Sequence, residues 1–229
     1  MFYWDYTYIL LIPAFILAVY AQQKVRSTYS RFSRTMASSR ISAAEVAQQI
    51  LSSSGAGEVR IEKIRGQLTD HYDPRKKVLR LSEGVYNSNS LAALGIAAHE
   101  AGHAAQHQSG YFPLHIRNAI YPVANIGSTL AFPLFIIGFL FSRQGSNFLM
   151  DLGILLFAGA VFFTVLTLPV EFNASRRALA LLREGRYLDS EEIVGARKVL
   201  SAAALTYVAA TAVALVQLLR LFLLRSSRD

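Results

Sequence analysis

Long apolar runs alternate along the chain with stretches whose polar positions recur on a period. Four runs are apolar enough to read as membrane spans: Tyr6 to Ala21, about Ala119 to Phe141, about Leu149 to Val170, and about Ala202 to Leu219. Tyr3, Trp4, Tyr6 and Tyr8 stand where an interfacial aromatic belt would lie. Asp5 precedes the first run and no Lys or Arg does, which favours an uncleaved anchor over a signal peptide. Pro122 and Pro133 predict a kink in the second run, and Pro169 falls near the end of the third. Gly127, Pro133 and Gly138 point to close helix packing.

From Gln22 to about Gly110 the pattern is that of a water-facing domain. Ser42-Ala-Ala-Glu45 fits a capping box, and Ala43, Val46, Ala47, Ile50 and Leu51 then share one helix face until Gly55 and Gly57. "EVRIEKI" alternates like a strand, and "GQLTDHYDPRKKVLRLS" reads as two strands about a turn at Asp73-Pro74. Ser90 caps an Ala/Leu-rich helix that runs to Gly110. The predicted organisation is an N-terminal anchor (1–21), an α+β domain (22–118), two spans (119–170), a polar helical segment (171–199), and a C-terminal span with its tail (200–229).

Composition agrees: 53% hydrophobic and 17% charged residues are too apolar for most soluble domains. The formal charge of +8 then reads as membrane orientation or affinity for acidic lipid, not as nucleic-acid binding. Residues 22–40 carry five Lys/Arg and residues 171–199 carry six, against Arg143 alone in residues 142–148. The positive-inside rule places the first two stretches in the cytoplasm and both termini outside. Arg220, Arg225 and Arg228 at the C-terminus run against that rule. There is no cysteine, so any metal site must use His, Asp or Glu.

Such a site is offered by "AAHEAGHAAQH", Ala97 to His107. His99 and His103 are four apart on a predicted helix, so both imidazoles point the same way. Glu100, about a quarter turn away, can reach the open coordination position without being a ligand. The pattern is H-E-x-x-H, a zinc-hydrolase signature. A catalytic zinc takes a third protein ligand. His107 continues the series, but three ligands at i, i+4 and i+8 rotate about 80° apart on a straight helix. The longer H-E-x-x-H-x-x-G-x-x-H pattern is excluded by Gln106 and Ser109. His71 and His115 remain candidates. Glu171, at the end of the third apolar run, reads equally as a ligand or as a solvated charge.

"LTDHYDP", "VLRLSEGVY", "AAHEAGHAAQ" and "LPVEFNASRRAL" together resemble the YugP-like family of neutral zinc membrane metallopeptidases, over nearly the whole chain. More distantly the chain resembles the HtpX-type membrane proteases, in which a glutamate of E-x-x-x-D is the third ligand. By that resemblance Glu171 is the third zinc ligand. The implied fold is a mainly α membrane protein, with about four transmembrane helices and a small α+β zincin-like cytoplasmic catalytic domain. The implied location is the inner membrane of a bacterium, with the site facing the cytoplasm. The aspartate of E-x-x-x-D is Ser175 here, so its role does not transfer; Asn173 or Ser175 is left to hydrogen-bond a ligand imidazole.

The implied activity is zinc-dependent hydrolysis of peptide or membrane-protein substrates, with Glu100 as the base. His71, Arg176 and Arg177 are candidate oxyanion donors, although both arginines read equally as loop charges. "VLRLS" is either a core strand or one that pairs with an extended substrate. Two rivals are a catalytically silent zinc-binding scaffold and a metal transporter. The intact Glu100 weighs against the first, and a His pair outside any span against the second.

Overall fold

The computed structural model describes residues 6–141 and 147–227. Tyr3, Trp4, Asp5, Arg143 and Arg228 lie outside the described residues. A 3-10 helix (Tyr6–Leu10) leads into α1 (Leu11–Phe32). There follow α2 (Ala43–Ser53), β1 (Arg60–Ile64), β2 (His71–Asp73), β3 (Val78–Ser82), α3 (Glu83–Tyr86) and α4 (Leu91–Gln108). Three long helices complete the chain: α5 (Phe112–Phe141), α6 (Phe148–Glu184) and α7 (Ser190–Ser226).

Four helical stretches among the described residues are long and apolar enough to cross a membrane, and they contain the four predicted runs. The helices outrun those readings. α1 continues beyond Ala21, and α6 runs unbroken through Pro169 to Glu184. The reason is periodicity: Val170, Glu171, Ala174, Ala178 and Leu182 are buried at helical spacing, so packing holds the turn that the proline weakens. α5 likewise runs on through Pro122 and Pro133.

The chain divides into two compact units. The first comprises Met1–Ala21, Ile116–Pro169 and Thr206–Asp229, as far as these are described. Its outer surface is apolar: Ile16, Val123, Leu140, Leu155 and Phe162 are all exposed. A surface of that kind is solvated by lipid. Within this unit Gly138 and Gly153 allow backbones to touch, since a Cβ on either would lie under 3.0 Å from a neighbouring main chain. Arg225 pairs with Asp151 at 2.8 Å, and Arg220 lies 3.8 Å from the Tyr8 ring centroid with its Nε donating to Thr7 Oγ1. Two of the three C-terminal arginines that opposed the positive-inside count are thus engaged within the unit. Arg220→Ala should cost about 2 kcal/mol, from the lost cation–π contact and packing, read as a lower melting temperature in detergent.

The second unit comprises Gln22–His115 and Val170–Leu205. Its sheet has the order β1-β3-β2, with β1 parallel and β2 antiparallel to β3. The hairpin about Asp73-Pro74 matches expectation. β3 is the central strand, so "VLRLS" has both edges taken and cannot add a substrate strand. α2 begins with the predicted capping box: Ser42 Oγ accepts from the Glu45 amide and Glu45 accepts from the Ser42 amide. Its pattern buries Val46, Ala47, Ile50 and Leu51 against α4. α4 is buried on nearly every side, as its Ala-rich sequence permits. It is capped by Ser90 Oγ on the Ala93 amide, and Gly110 past its end takes a left-handed φ of 65°.

Candidate metal centre

All the groups that meet at the site belong to the second unit. α4 presents His99 and His103 one turn apart, their ring centroids 4.8 Å apart and nearly perpendicular. α6 presents Glu171, which is buried. One Glu171 oxygen lies 3.3 Å from His99 Nε2 and 3.5 Å from His103 Nε2. The three side chains form a group whose ligand atoms all lie within 4.8 Å of one another.

These residues fit a zinc ion. Tetrahedral zinc with bonds of about 2.0–2.1 Å sets neighbouring ligand atoms about 3.3 Å apart, close to the two His–Glu separations. Two imidazoles and one carboxylate are a donor set of the catalytic kind, with a fourth position left open.

The approach of α6 to α4 depends on Gly102. A Cβ there would lie 2.9 Å from the Ala174 carbonyl oxygen. Gly102→Ala is expected to force the helices apart, lowering stability by about 1–3 kcal/mol and weakening zinc retention. Thermal melts and metal analysis of the same sample check both effects.

Glu100 sits beside this cluster, partly buried, with Oε2 accepting from the Tyr72 amide at 3.0 Å. Burial pushes its carboxyl up to about 7; Glu171 and Asp70 add to the rise, while His99 and the Tyr72 amide oppose it. Asp70 in turn accepts from the Ser82 amide and hydroxyl, at 2.7 and 3.0 Å, which ties the start of β2 to the end of β3.

Of the other predicted residues, Ser175 reaches an imidazole of the cluster and the rest are dispersed. Ser175 Oγ lies 3.2 Å from His99 Nδ1. Asn173 touches neither imidazole; its Oδ1 accepts from Gln106 Nε2 and from Arg177 Nε. Arg177 also lies over the Tyr111 ring, and Arg176 is exposed. His71 is exposed, with Nδ1 near the Thr69 carbonyl and Nε2 near Arg80. His107 contacts the Tyr72 hydroxyl and the His115 ring, and neither histidine joins the cluster.

Three participants escaped the sequence reading: Gln106, Asp70 and the Tyr72 amide. Gln106 is fully buried and joins His103 Nδ1 to α6. Its placement one turn after His103 was a usable signal. Asp70 and Tyr72 lie within "TDHYDP", but no local pattern shows that a backbone amide turns toward Glu100.

Comparison with known proteins identifies the family. The family described as "Putative neutral zinc metallopeptidase" matches residues 7–226. A protein of Bacillus subtilis (strain 168), described as "Putative membrane protease YugP", is 49% identical over 211 residues, covering 92% of each chain. No solved structure matches the chain. Apart from Tyr6, the family match takes in the four apolar helical stretches among the described residues and both of the helices that carry the His–His–Glu group, and the chain belongs to this zinc metallopeptidase family as one of its membrane proteins.

Proposed function

We propose that this chain is a zinc-dependent endopeptidase that cuts membrane-associated proteins near the cytoplasmic surface of a bacterial inner membrane. The observation that carries the reading is the convergence of His99, His103 and Glu171 with a base at Glu100. In this reading those three residues are the zinc ligands, a gluzincin-like set in a zincin-like domain. A bound zinc supplies Lewis acidity that polarises the scissile carbonyl and makes water a better nucleophile. Glu100 takes the proton of the attacking water and returns it to the leaving amine. The Tyr72 amide holds the carboxylate in place for both transfers.

Substrate binding falls to β2. It is the edge strand next to Glu100, and because the Tyr72 amide is already given to Glu100, an extended chain would pair there through the Tyr72 carbonyl, beside the base. The proximity of the membrane is supported by α6, which carries both the third apolar run and Glu171. The cytoplasmic assignment rests on the positive stretches at 22–40 and 171–199.

The purified chain is expected to cleave a membrane-tethered substrate in a chelator-sensitive, zinc-restored reaction, and soluble unfolded chains poorly. Equal cleavage of both would remove the substrate reading. Absence of any zinc-dependent cleavage would leave the scaffold reading. Orientation is open to test because the chain lacks cysteine. An impermeant maleimide should label Ser226→Cys in intact cells and Lys63→Cys only after permeabilisation; the reverse pattern would overturn the cytoplasmic placement.

A further inference from the structure

We infer that Gln106 is a positioning residue that decides which nitrogen of His103 is free to bind the metal, and that Arg177 sets its direction through Asn173. The metal half of this rests on His103 being a ligand. Gln106 is 0% exposed, and its side chain makes three polar contacts: Nε2 to the Val170 carbonyl at 2.9 Å, Nε2 to Asn173 Oδ1 at 2.9 Å, and Oε1 to His103 Nδ1 at 3.0 Å.

An amide fits a cavity either way round, so its orientation must be imposed by groups that have no choice. Two such groups are present. Arg177 can only donate, and its Nε lies 2.9 Å from Asn173, so Asn173 must turn its oxygen there. Gln106 can meet that same oxygen only with its NH2. The Val170 carbonyl, which can only accept, demands the same. The Gln106 oxygen is therefore left facing His103, whose proton must reside on Nδ1. In the neutral ring Nε2 then keeps its lone pair for a metal, although without one the Glu171 carboxylate, 3.5 Å away, competes as an acceptor for a proton on Nε2. A ring with its proton on Nε2 could not bind through that atom.

His99 has no such control. Its Nδ1 faces Ser175 Oγ, and a hydroxyl both donates and accepts. The two ligand histidines are thus held unequally: the tautomer of His103 is dictated from a buried chain, and that of His99 is not. Gln106 also ties α4 to α6, so a loss of zinc alone would not separate direction from scaffolding.

Long-range 1H–15N correlation of the histidine rings makes that separation on the metal-free full chain carrying Glu171→Ala, in detergent, in which Glu171 no longer competes for Nε2. With Gln106 intact, His103 in that background should carry its proton on Nδ1. Gln106→Met should populate the Nε2–H form there and, in the chain that keeps Glu171, weaken zinc about 10–100-fold in a chelator competition. Gln106→Glu, whose buried carboxyl in its neutral form donates to the Val170 side and keeps an oxygen facing Nδ1, should restore the Nδ1–H form. Ser175→Ala should affect zinc less than Gln106→Met does. A folded Gln106→Met variant with unchanged tautomer and unchanged zinc affinity would overturn the inference. So would Nε2–H in the Glu171→Ala chain with Gln106 intact. If Gln106→Met does not fold, Gln106→Glu decides, and loss of Nδ1–H there is equally fatal. Failure of the wild type to bind zinc would sink the metal reading alone, since the metal-free tautomer still reports on Gln106.

Discussion

Glu100→Gln lowers kcat/KM by about 10²–10⁴-fold, the usual worth of a positioned proton-transfer group, and leaves zinc at about one per chain. The side chain that replaces the carboxylate is nearly isosteric, so packing beside the His pair survives. What is lost is the capacity to take a proton from water and give it to an amine. A scaffold protein would show no change in zinc and no activity to lose. Elemental analysis beside a peptide-cleavage assay therefore separates the two accounts, and a Glu100→Gln variant that still cleaves would remove Glu100 from the mechanism.

The same substitution has a signature in stability. The Glu100 carboxyl rises from an ordinary 4.5 to about 7 in the folded, metal-free chain, chiefly through burial. Between those values the unfolded chain has released this proton and the folded chain still holds it. Stability of the metal-free protein should therefore fall as pH rises through this window, and the contribution is complete below it. Thermal melts of the wild type and Glu100→Gln across the window test this. The difference between the two should change with pH, because glutamine does not titrate; a constant difference would show that Glu100 is not held protonated.

Glu171→Ala should lose zinc altogether, with affinity reduced by more than the roughly 10–100-fold seen when only a supporting hydrogen bond is removed. Two imidazoles on one helix remain, and water must supply the rest of the coordination shell. The carboxylate is 3% exposed, so its removal also leaves a small cavity between α4 and α6. His107→Ala is the control, because His107 faces Tyr72 and His115 outside the cluster. Zinc kept by the His107 variant and lost by the Glu171 variant would establish the third ligand. Zinc kept by Glu171→Ala would end that assignment and the gluzincin-like reading with it.

What the sequence determined by itself was local. The capping box at Ser42 and Glu45, the helix begun at Ser90, the turn at Asp73-Pro74 and the four apolar runs follow from neighbours a few residues apart. The direction of His99 and His103 belongs with these, because 3.6 residues per turn brings positions four apart onto one face. The tertiary structure decided what depends on distant chain segments. Glu171 is 72 residues from His99, and on its own sequence it read as ligand or as solvated charge alike. It meets the pair because Gly102 lets the Ala174 carbonyl come within van der Waals reach. The central place of β3 could not be read either, since strand order is set by a crossover and not by alternation along one strand. Gln106 marks the division: its position one turn beyond His103 was visible, but its three contacts exist only once α6 is packed against α4, because a buried amide takes its orientation from the partners that packing supplies.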